Sequence, residues 1–230
     1  MRILTITLAA LALSGAAVAL QKATAQATPV QASAPADAQI IAQQLPSYPL
    51  TVCPVSKEAL EAMDTFNFVH EGRLVRFCCK DCVKEFKKDP ATTLKMIDEG
   101  VIKAQKATYP MMKCPVSGHE LAADAVDFVQ GTRLVRFCCK DCVAGFQKEP
   151  AKYLAQIDAA LIAEQKKTYP LTTCLVSGKA IEGQGVDHLY GTRLTRFCCP
   201  KCPEAFEKDP AKYLAQLDAA AKKPAPEKKK

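Results

Sequence analysis

The sequence predicts an α+β protein of three tandem small modules, each with a β-hairpin, a short helix and a longer linking helix. RLVRFCCKDCV occupies 73–83 and 133–143, and a third copy, RLTRFCCPKCP, occupies 193–203, so the period is 60 residues. All 12 cysteines fall in these repeats, four in each. A unit of about 60 residues has a marginal core. We therefore expect its cysteines to stabilise it through disulfides or a bound metal.

The N-terminus has the features of a secretory signal peptide over residues 1–25. Arg2 precedes an apolar run from Ile3 to Leu13, and A-x-A patterns end at Ala19 and Ala25. We expect cleavage after Ala25, with Ala19 as the alternative. An uncleaved anchor is less favoured because the run is short for a span of about 20 residues. The sequence thus predicts a secreted, periplasmic protein without a membrane span after cleavage.

The remaining boundaries follow from composition and from the repeat. Residues 26–46 are rich in Ala, Gln and Pro, which predicts a flexible linker. Each module then opens with Tyr-Pro, which gives modules over 47–107, 108–167 and 168–221. Residues 222–230 form a Lys-rich tail, which we interpret as solvated.

Within each module the residue pattern predicts the elements in order. In the second, β-branched and apolar residues on both sides of Gly131-Thr132 indicate a hairpin. The first repeat carries one extra residue before this turn, which leaves its register open. A short helix at about 82–88 must end before Pro90. The linking helices start at Pro90, Pro150 and Pro210, behind capping residues Asp89, Glu149 and Asp209. They lead directly into the next Tyr-Pro, so we expect the repeats to pack together.

The cysteine spacing is Cys-x24-Cys-Cys-x2-Cys in the first repeat and Cys-x23-Cys-Cys-x2-Cys in the others. Thiolates are soft, anionic donors that bind Zn²⁺ and Cu(I). Cys78 ends a strand and Cys82 opens a helix, so both can turn back towards Cys53. The helix start, with Arg76 and Lys80 nearby, is expected to lower the thiol pKa values and favour the metal-binding form.

The pattern Y-P-x3-C-P-V-S-G followed by G-x-R-L-x-R-F-C-C-x2-C resembles the YHS domain, a member of the TRASH-type heavy-metal-binding group. The resemblance covers each module nearly end to end. It implies a treble-clef-like fold, a role in metal trafficking, resistance or sensing, and one cysteine triad per module. The triads fall on Cys53, Cys78, Cys82; Cys114, Cys138, Cys142; and Cys174, Cys198, Cys202. Cys79, Cys139 and Cys199 are possible fourth ligands. The gap between the first two cysteines is slightly longer than usual in the group.

The sequence thus favours an exported protein that binds up to three Zn²⁺ or Cu(I) ions, with a metal efflux or delivery protein as a candidate partner. A disulfide-stapled interaction module is the alternative, because exported chains with paired cysteines commonly form disulfides. A second alternative is a thiol–disulfide oxidoreductase that uses the C-x-x-C motif at Cys79–Cys82. No catalytic constellation is visible, which predicts no enzyme, and the signal peptide argues against nucleic-acid binding. The three histidines occupy unmatched positions and are predicted to lie at the surface: His70, His119 and His188.

Overall fold

A computed structural model describes residues 34–60, 65–183 and 185–222, and it confirms the α+β fold in three repeated units. Helix α1 (Ala34–Gln44) precedes the first unit, which contains β1 (Phe66–His70), β2 (Arg73–Phe77), α2 (Lys80–Phe86) and α3 (Pro90–Gln105). The second contains β3 (Val126–Gln130), β4 (Arg133–Phe137), α4 (Asp141–Lys148) and α5 (Pro150–Lys166). The third contains β5 (Val186–Tyr190), β6 (Arg193–Phe197), α6 (Cys202–Glu207) and α7 (Pro210–Ala221).

Three regions of the sequence prediction fall outside these residues. They are the signal peptide, residues 1–25, the first part of the predicted linker, residues 26–33, and nearly all of the Lys-rich tail, from residue 223. Within the described ranges, no helix has both the length and the apolar composition needed to cross a membrane.

The three hairpins share one register. Their strands pair antiparallel around two-residue turns, and Phe66, Val126 and Val186 lie opposite Phe77, Phe137 and Phe197. In the first turn Glu71 and Gly72 both have positive φ, 49° and 75°, as in a type I′ turn. The extra residue of the first repeat therefore lies between Leu60 and Phe66, before the hairpin. The register that the sequence left open is the same in all three modules.

A pair of phenylalanines fixes the short helix of each module against its hairpin. Phe77 and Phe86 are both buried, with ring centroids 5.4 Å apart, and the corresponding pairs in the other modules lie 5.5 and 5.6 Å apart. The upstream cysteine is part of the same core. The short helix ends before the proline that starts the linking helix, as predicted, although α2 begins two residues earlier than expected.

The modules share core residues across their junctions. Leu134 of the second module lies in the buried cluster of the first, and Leu189 of the third packs against the cluster of the second. The linking helices α3 and α5 contact the hairpin that follows each of them. The repeats are therefore packed together, as the sequence predicted.

A glutamine and a tyrosine before each hairpin cover its exposed edge. The Gln105 side chain donates a hydrogen bond from Nε2 to the Thr132 carbonyl (2.8 Å) and accepts one at Oε1 from the Leu134 N–H (2.9 Å). Four residues later, the Tyr109 hydroxyl accepts from the Arg136 N–H (3.2 Å). Gln165 with Tyr169, and Gln44 with Tyr48, make the same bonds to their hairpins. These pairs satisfy backbone groups that an edge strand would otherwise present to other chains.

The prediction of a flexible linker over residues 26–46 is wrong for its last part. Residues 34–44 form α1, and Gln44 at its end holds the first hairpin as Gln105 holds the second. The Gln44 carbonyl also accepts a hydrogen bond from the Thr132 hydroxyl (3.0 Å) in the turn of the second module. Composition alone did not predict this helix. Its role depends on one side chain, Gln44, which makes the same hydrogen bonds as Gln105 near the end of α3 and Gln165 near the end of α5.

We expect Gln105→Ala to lower the free energy of unfolding by about 1–3 kcal/mol, since it leaves the Leu134 N–H and the Thr132 carbonyl without these partners. Urea denaturation of the metal-free, reduced chain measures the change. Gln156→Ala, at an exposed position on α5, is the matched control. We call the paired hydrogen bonds of Gln105, and those of Gln44 and Gln165, the glutamine clamps. Equal denaturation midpoints for the two variants would show that the clamp of Gln105 does not stabilise the fold.

Ion pairs join the second and third modules to the helices before them. Asp127 accepts from the Lys106 ammonium (2.7 Å) and the Arg136 guanidinium (2.8 Å), and Asp187 accepts likewise from Lys166 and Arg196. Burial alone would raise the pKa of Asp127, but the two cations lower it below its usual value. The first module has Asn67 at this position, where it accepts from Arg76 (3.2 Å).

The lowered pKa values of Asp127 and Asp187 predict a pH dependence. A carboxylate with a depressed folded-state pKa stabilises the fold above its unfolded pKa of about 3.9, and this contribution is lost as the pH falls through the folded pKa. Asp127→Asn with Asp187→Asn should therefore reduce stability near neutral pH by about 1 kcal/mol per site and flatten its decline in acid. Urea midpoints of the metal-free chain across this pH range provide the measurement. A decline as steep as that of the unmodified chain would show that other groups cause it.

Candidate metal centre

The upstream cysteine of each module opens a tight turn. The Cys53 carbonyl accepts from the Lys57 N–H (2.9 Å), and the Cys53 N–H donates to the Glu58 carbonyl (2.7 Å). The fifth residue of the turn has positive φ in all three modules: Lys57 (68°), Gly118 (74°) and Gly178 (69°). The turn therefore has the same form in all three modules. Lys57 adopts it where the other modules have glycine, and its ammonium is bonded to the Pro54 carbonyl (2.7 Å).

The other cysteines lie at the junction between the second strand and the short helix. Cys78 directly follows β2, Cys79 caps α2, and Cys82 lies in the first turn of that helix. The hairpin and the helix thereby direct Cys78 and Cys82 towards the turn that carries Cys53. In every module the three sulfur atoms lie within 4.8 Å of one another, in the groups Cys53, Cys78, Cys82; Cys114, Cys138, Cys142; and Cys174, Cys198, Cys202.

The distances between these sulfurs fit a thiolate metal site. Cys78 Sγ is 3.6 Å from Cys82 Sγ, and the corresponding distance is 3.8 Å in the other two modules. With metal–sulfur bonds of about 2.3 Å, tetrahedral or trigonal geometry places sulfurs about 3.8–4.0 Å apart. Only small side-chain movements separate the triads from a coordinating arrangement. The donor set, three cysteine sulfurs, suits Cu(I) and Zn²⁺ and not a hard cation.

The fourth cysteine of each module lies beside the triad. Cys79 Sγ is 3.6 Å from Cys82 Sγ, and the distances for Cys139 and Cys199 to their helix cysteines are 3.6 and 3.5 Å. The candidate metal groups in the described residues are the triads, without the fourth cysteine. In the second module Cys139 Sγ also lies 3.9 Å from Cys138 Sγ. Along a strand, adjacent side chains point to opposite faces. At the helix start the backbone turns, and the sulfurs of Cys78 and Cys79 both lie close to Cys82.

Hydrogen bonds lower the pKa of the upstream thiol in each module. Burial alone would raise the pKa of Cys53, but the Ser56 hydroxyl and backbone N–H groups, including that of Cys78, lower it to about 6. Cys114 and Cys174 have the same shift. Burial and the neighbouring sulfurs raise the pKa of Cys82 to about 12. The lowered pKa of the upstream thiol favours the thiolate form that binds metal. The helix cysteine, with its raised pKa, must release a proton when a metal binds.

The serine of each Cys-x-Val-Ser segment is a functional residue that the sequence analysis missed. The Ser56, Ser117 and Ser177 hydroxyls lie 3.1, 3.2 and 3.3 Å from the sulfurs of Cys78, Cys138 and Cys198. Each serine thus links the two halves of its triad. Its recurrence three residues after the upstream cysteine in every repeat was the available signal.

The cations expected to lower the thiol pKa values are engaged elsewhere. The Arg76 guanidinium bonds Asn67 and lies over the Tyr48 ring, and the Lys80 ammonium lies over the Phe66 ring. Backbone hydrogen bonds at the start of the short helix, led by the Cys82 N–H, lower the pKa of Cys79 instead. The predicted lowering of the thiol pKa is thus correct for Cys79 and wrong for Cys82, whose pKa is raised by burial and the neighbouring sulfurs.

The histidines lie outside the cysteine groups in the described part of the chain. In its hairpin, His188 occupies the position that Phe68 and Phe128 occupy in the other modules. The surface prediction is wrong for His70 and His188, which are partly buried against Phe86 and Phe206. His119 is exposed, as predicted.

All 12 cysteines are free thiols in this structure. Comparison with protein-family models, with curated proteins and with solved structures finds no match for the chain. The functional interpretation therefore rests on the arrangement of the chain's own residues.

Proposed function

We propose that this protein binds a soft or borderline metal ion, Cu(I) or Zn²⁺, in each of its three modules. The observation that carries the proposal is the threefold recurrence of a cysteine triad whose sulfurs lie within 4.8 Å of one another. A core-packing role alone would not require three thiols to converge at every copy of the site, nor a hydrogen-bonded serine beside each. The lowered pKa values of Cys53, Cys114 and Cys174 favour the thiolate form that binds metal.

The motif likeness supports assignment of the modules to the YHS domains of the TRASH-type group. On this proposal the chain is exported by its N-terminal segment and handles metal outside the cytoplasm, in storage, delivery or resistance, with an efflux or delivery protein as partner. Its activity is binding, not catalysis. The short strands and helices place each site at a strand-to-helix junction, where a small backbone movement can adjust the sulfur positions.

Anaerobic titration of the reduced chain tests the proposal. Competition with chromogenic chelators should reveal tight binding of Cu(I) or Zn²⁺, and a thiol reagent should find the triads protected in the loaded protein. Intact-mass measurement of the protein as purified, without oxidant or reductant, provides the control. Masses reduced by two protons per cysteine pair, together with failure to bind either ion after reduction, would favour the disulfide-stapled module instead.

A further inference from the structure

Each module carries one more thiol than its triad uses, and this thiol is more accessible than the upstream and helix sulfurs. Cys53 has 0% and Cys82 7% of its surface exposed, and the equivalent residues of the other modules are also buried. Cys78 is half-buried and bonded to the Ser56 hydroxyl. In contrast, Cys79 and Cys139 are exposed and Cys199 is half-buried. An acceptor in solution therefore meets the fourth sulfur before it reaches the buried members of the triad.

The fourth sulfur is also in contact with the triad. It lies 3.5–3.6 Å from the helix cysteine in all three modules, at Cys82, Cys142 and Cys202. The four thiols thus form two overlapping sets that share the helix cysteine. One set is the triad, and the other pairs the buried helix sulfur with a more accessible one. This arrangement recurs in three copies although the adjacent helix residues differ, with Lys80 and Lys140 replaced by Pro200. In the second module the fourth sulfur also lies 3.9 Å from the Cys138 sulfur.

We propose that Cys79, Cys139 and Cys199 are transfer ligands, through which the metal ion of each site passes between the triad and a thiolate-bearing acceptor. This inference rests on the proposed function. The acceptor is defined by its chemistry: a carrier that offers cysteine sulfurs, since soft ions exchange readily between ligands of the same kind.

The transfer is a ligand exchange without electron transfer. The Cys79 thiol loses its proton to solvent as its sulfur bonds the ion, and one bond from Cys53 or Cys78 to the ion breaks. Cys82 stays bonded during this step because it belongs to both sets. Acceptor thiolates then replace the remaining protein sulfurs one by one, Cys82 included, and each released sulfur is left as thiolate or takes a proton from solvent. The oxidation state of the ion does not change, and no oxidant or reductant is needed.

The test compares affinity and transfer rate in the full-length chain. The variant replaces all three fourth cysteines: Cys79→Ser, Cys139→Ser and Cys199→Ser. The matched control puts serines at exposed positions two residues further on: Asp81→Ser, Asp141→Ser and Lys201→Ser. Each protein is loaded with Cu(I), its affinity is measured by equilibrium competition, and release to excess glutathione is followed by stopped flow with a chromogenic Cu(I) chelator as reporter.

We expect the cysteine variant to keep the stoichiometry and affinity of the unmodified chain while its transfer rate falls about tenfold or more, equivalent to about 1.4 kcal/mol in the barrier. The control should transfer at the unmodified rate. A second readout is alkylation of the loaded protein, in which Cys79 and Cys139 should react while the triads stay protected, with the half-buried Cys199 slower.

Two results would overturn the inference while leaving the proposed function intact. An unchanged transfer rate would mean that the fourth cysteine has no part in exchange. An affinity loss as large as that of Cys78→Ser would make it a permanent fourth ligand. Failure of the unmodified chain to bind Cu(I) or Zn²⁺ would overturn the proposed function itself, and the inference with it.

Discussion

Cys138→Ser should remove one metal site of the three and leave the other two intact. The substitution takes one sulfur from the triad of the second module, while the triads of the neighbouring modules use only their own cysteines. Substitution of a residue that only hydrogen-bonds a metal ligand lowers metal affinity by up to about 100-fold. Loss of a ligand itself should therefore lower the affinity of that site by more than about 100-fold. Cys138 is half-buried, so its replacement disturbs the core less than that of Cys114 or Cys142. Chelator competition measures the three affinities.

The matched control is Cys139→Ser, which changes the adjacent residue in the same way. It should preserve the affinity of the second module, because the candidate metal group consists of Cys114, Cys138 and Cys142. Cys139 lies close to Cys138 and Cys142 but does not belong to this group. Equal losses from the two substitutions would argue for a four-cysteine zinc site. Loss of binding in all three modules from Cys138→Ser alone would argue for one composite site.

Removing the metal from the reduced protein should lower its melting temperature sharply. A ligand that binds only the folded state adds about 2.7 kcal/mol per site when its free concentration is about 100 times its Kd. At roughly 2–4 °C per kcal/mol for a chain of this size, filling three such sites raises Tm by at least about 15 °C. The modules share core residues such as Leu134, so each site should stabilise its neighbours as well.

Calorimetry of the loaded and chelated protein, with thiols counted after each scan, measures this effect. The variant that lacks Cys53, Cys114 and Cys174 is the control, because its melting temperature should not respond to added metal. An unchanged melting curve after confirmed metal removal from the unmodified chain would mean that the shared core and the glutamine clamps maintain the fold without the ion.

The sequence was most informative where the repeat itself carried the signal. The hairpin around Gly131, the linking helix that begins at Pro150 and the grouping of Cys114 with Cys138 and Cys142 all follow from residue pattern and spacing. In these cases local preference and tertiary structure agree. The cysteine spacing is nearly the same in the three repeats, so the metal-site interpretation of one repeat supports that of the other two.

Other features depended on distances that spacing does not encode. The helix ending at Gln44 was missed because its neighbours are Ala, Gln and Pro, and its role is visible only when the Gln44 amide meets the Leu74 N–H (2.9 Å). The Ser56 hydroxyl reaches a sulfur 22 residues away, across the space between a turn and a strand end. The directions of Cys78 and Cys79 likewise depend on the backbone turn between strand and helix, where strand alternation no longer applies.

The central claim is that each module holds its own metal ion in its own triad, and native mass spectrometry of the reduced, metal-saturated chain tests it most directly. Three triads predict three bound ions per chain, with Cu(I) or Zn²⁺ identified by the mass added per site. The ions should fall to two when Cys138 is replaced by serine. A single ion per chain at saturation, or a metal-free mass reduced by disulfide formation under the same reducing conditions, would contradict the account.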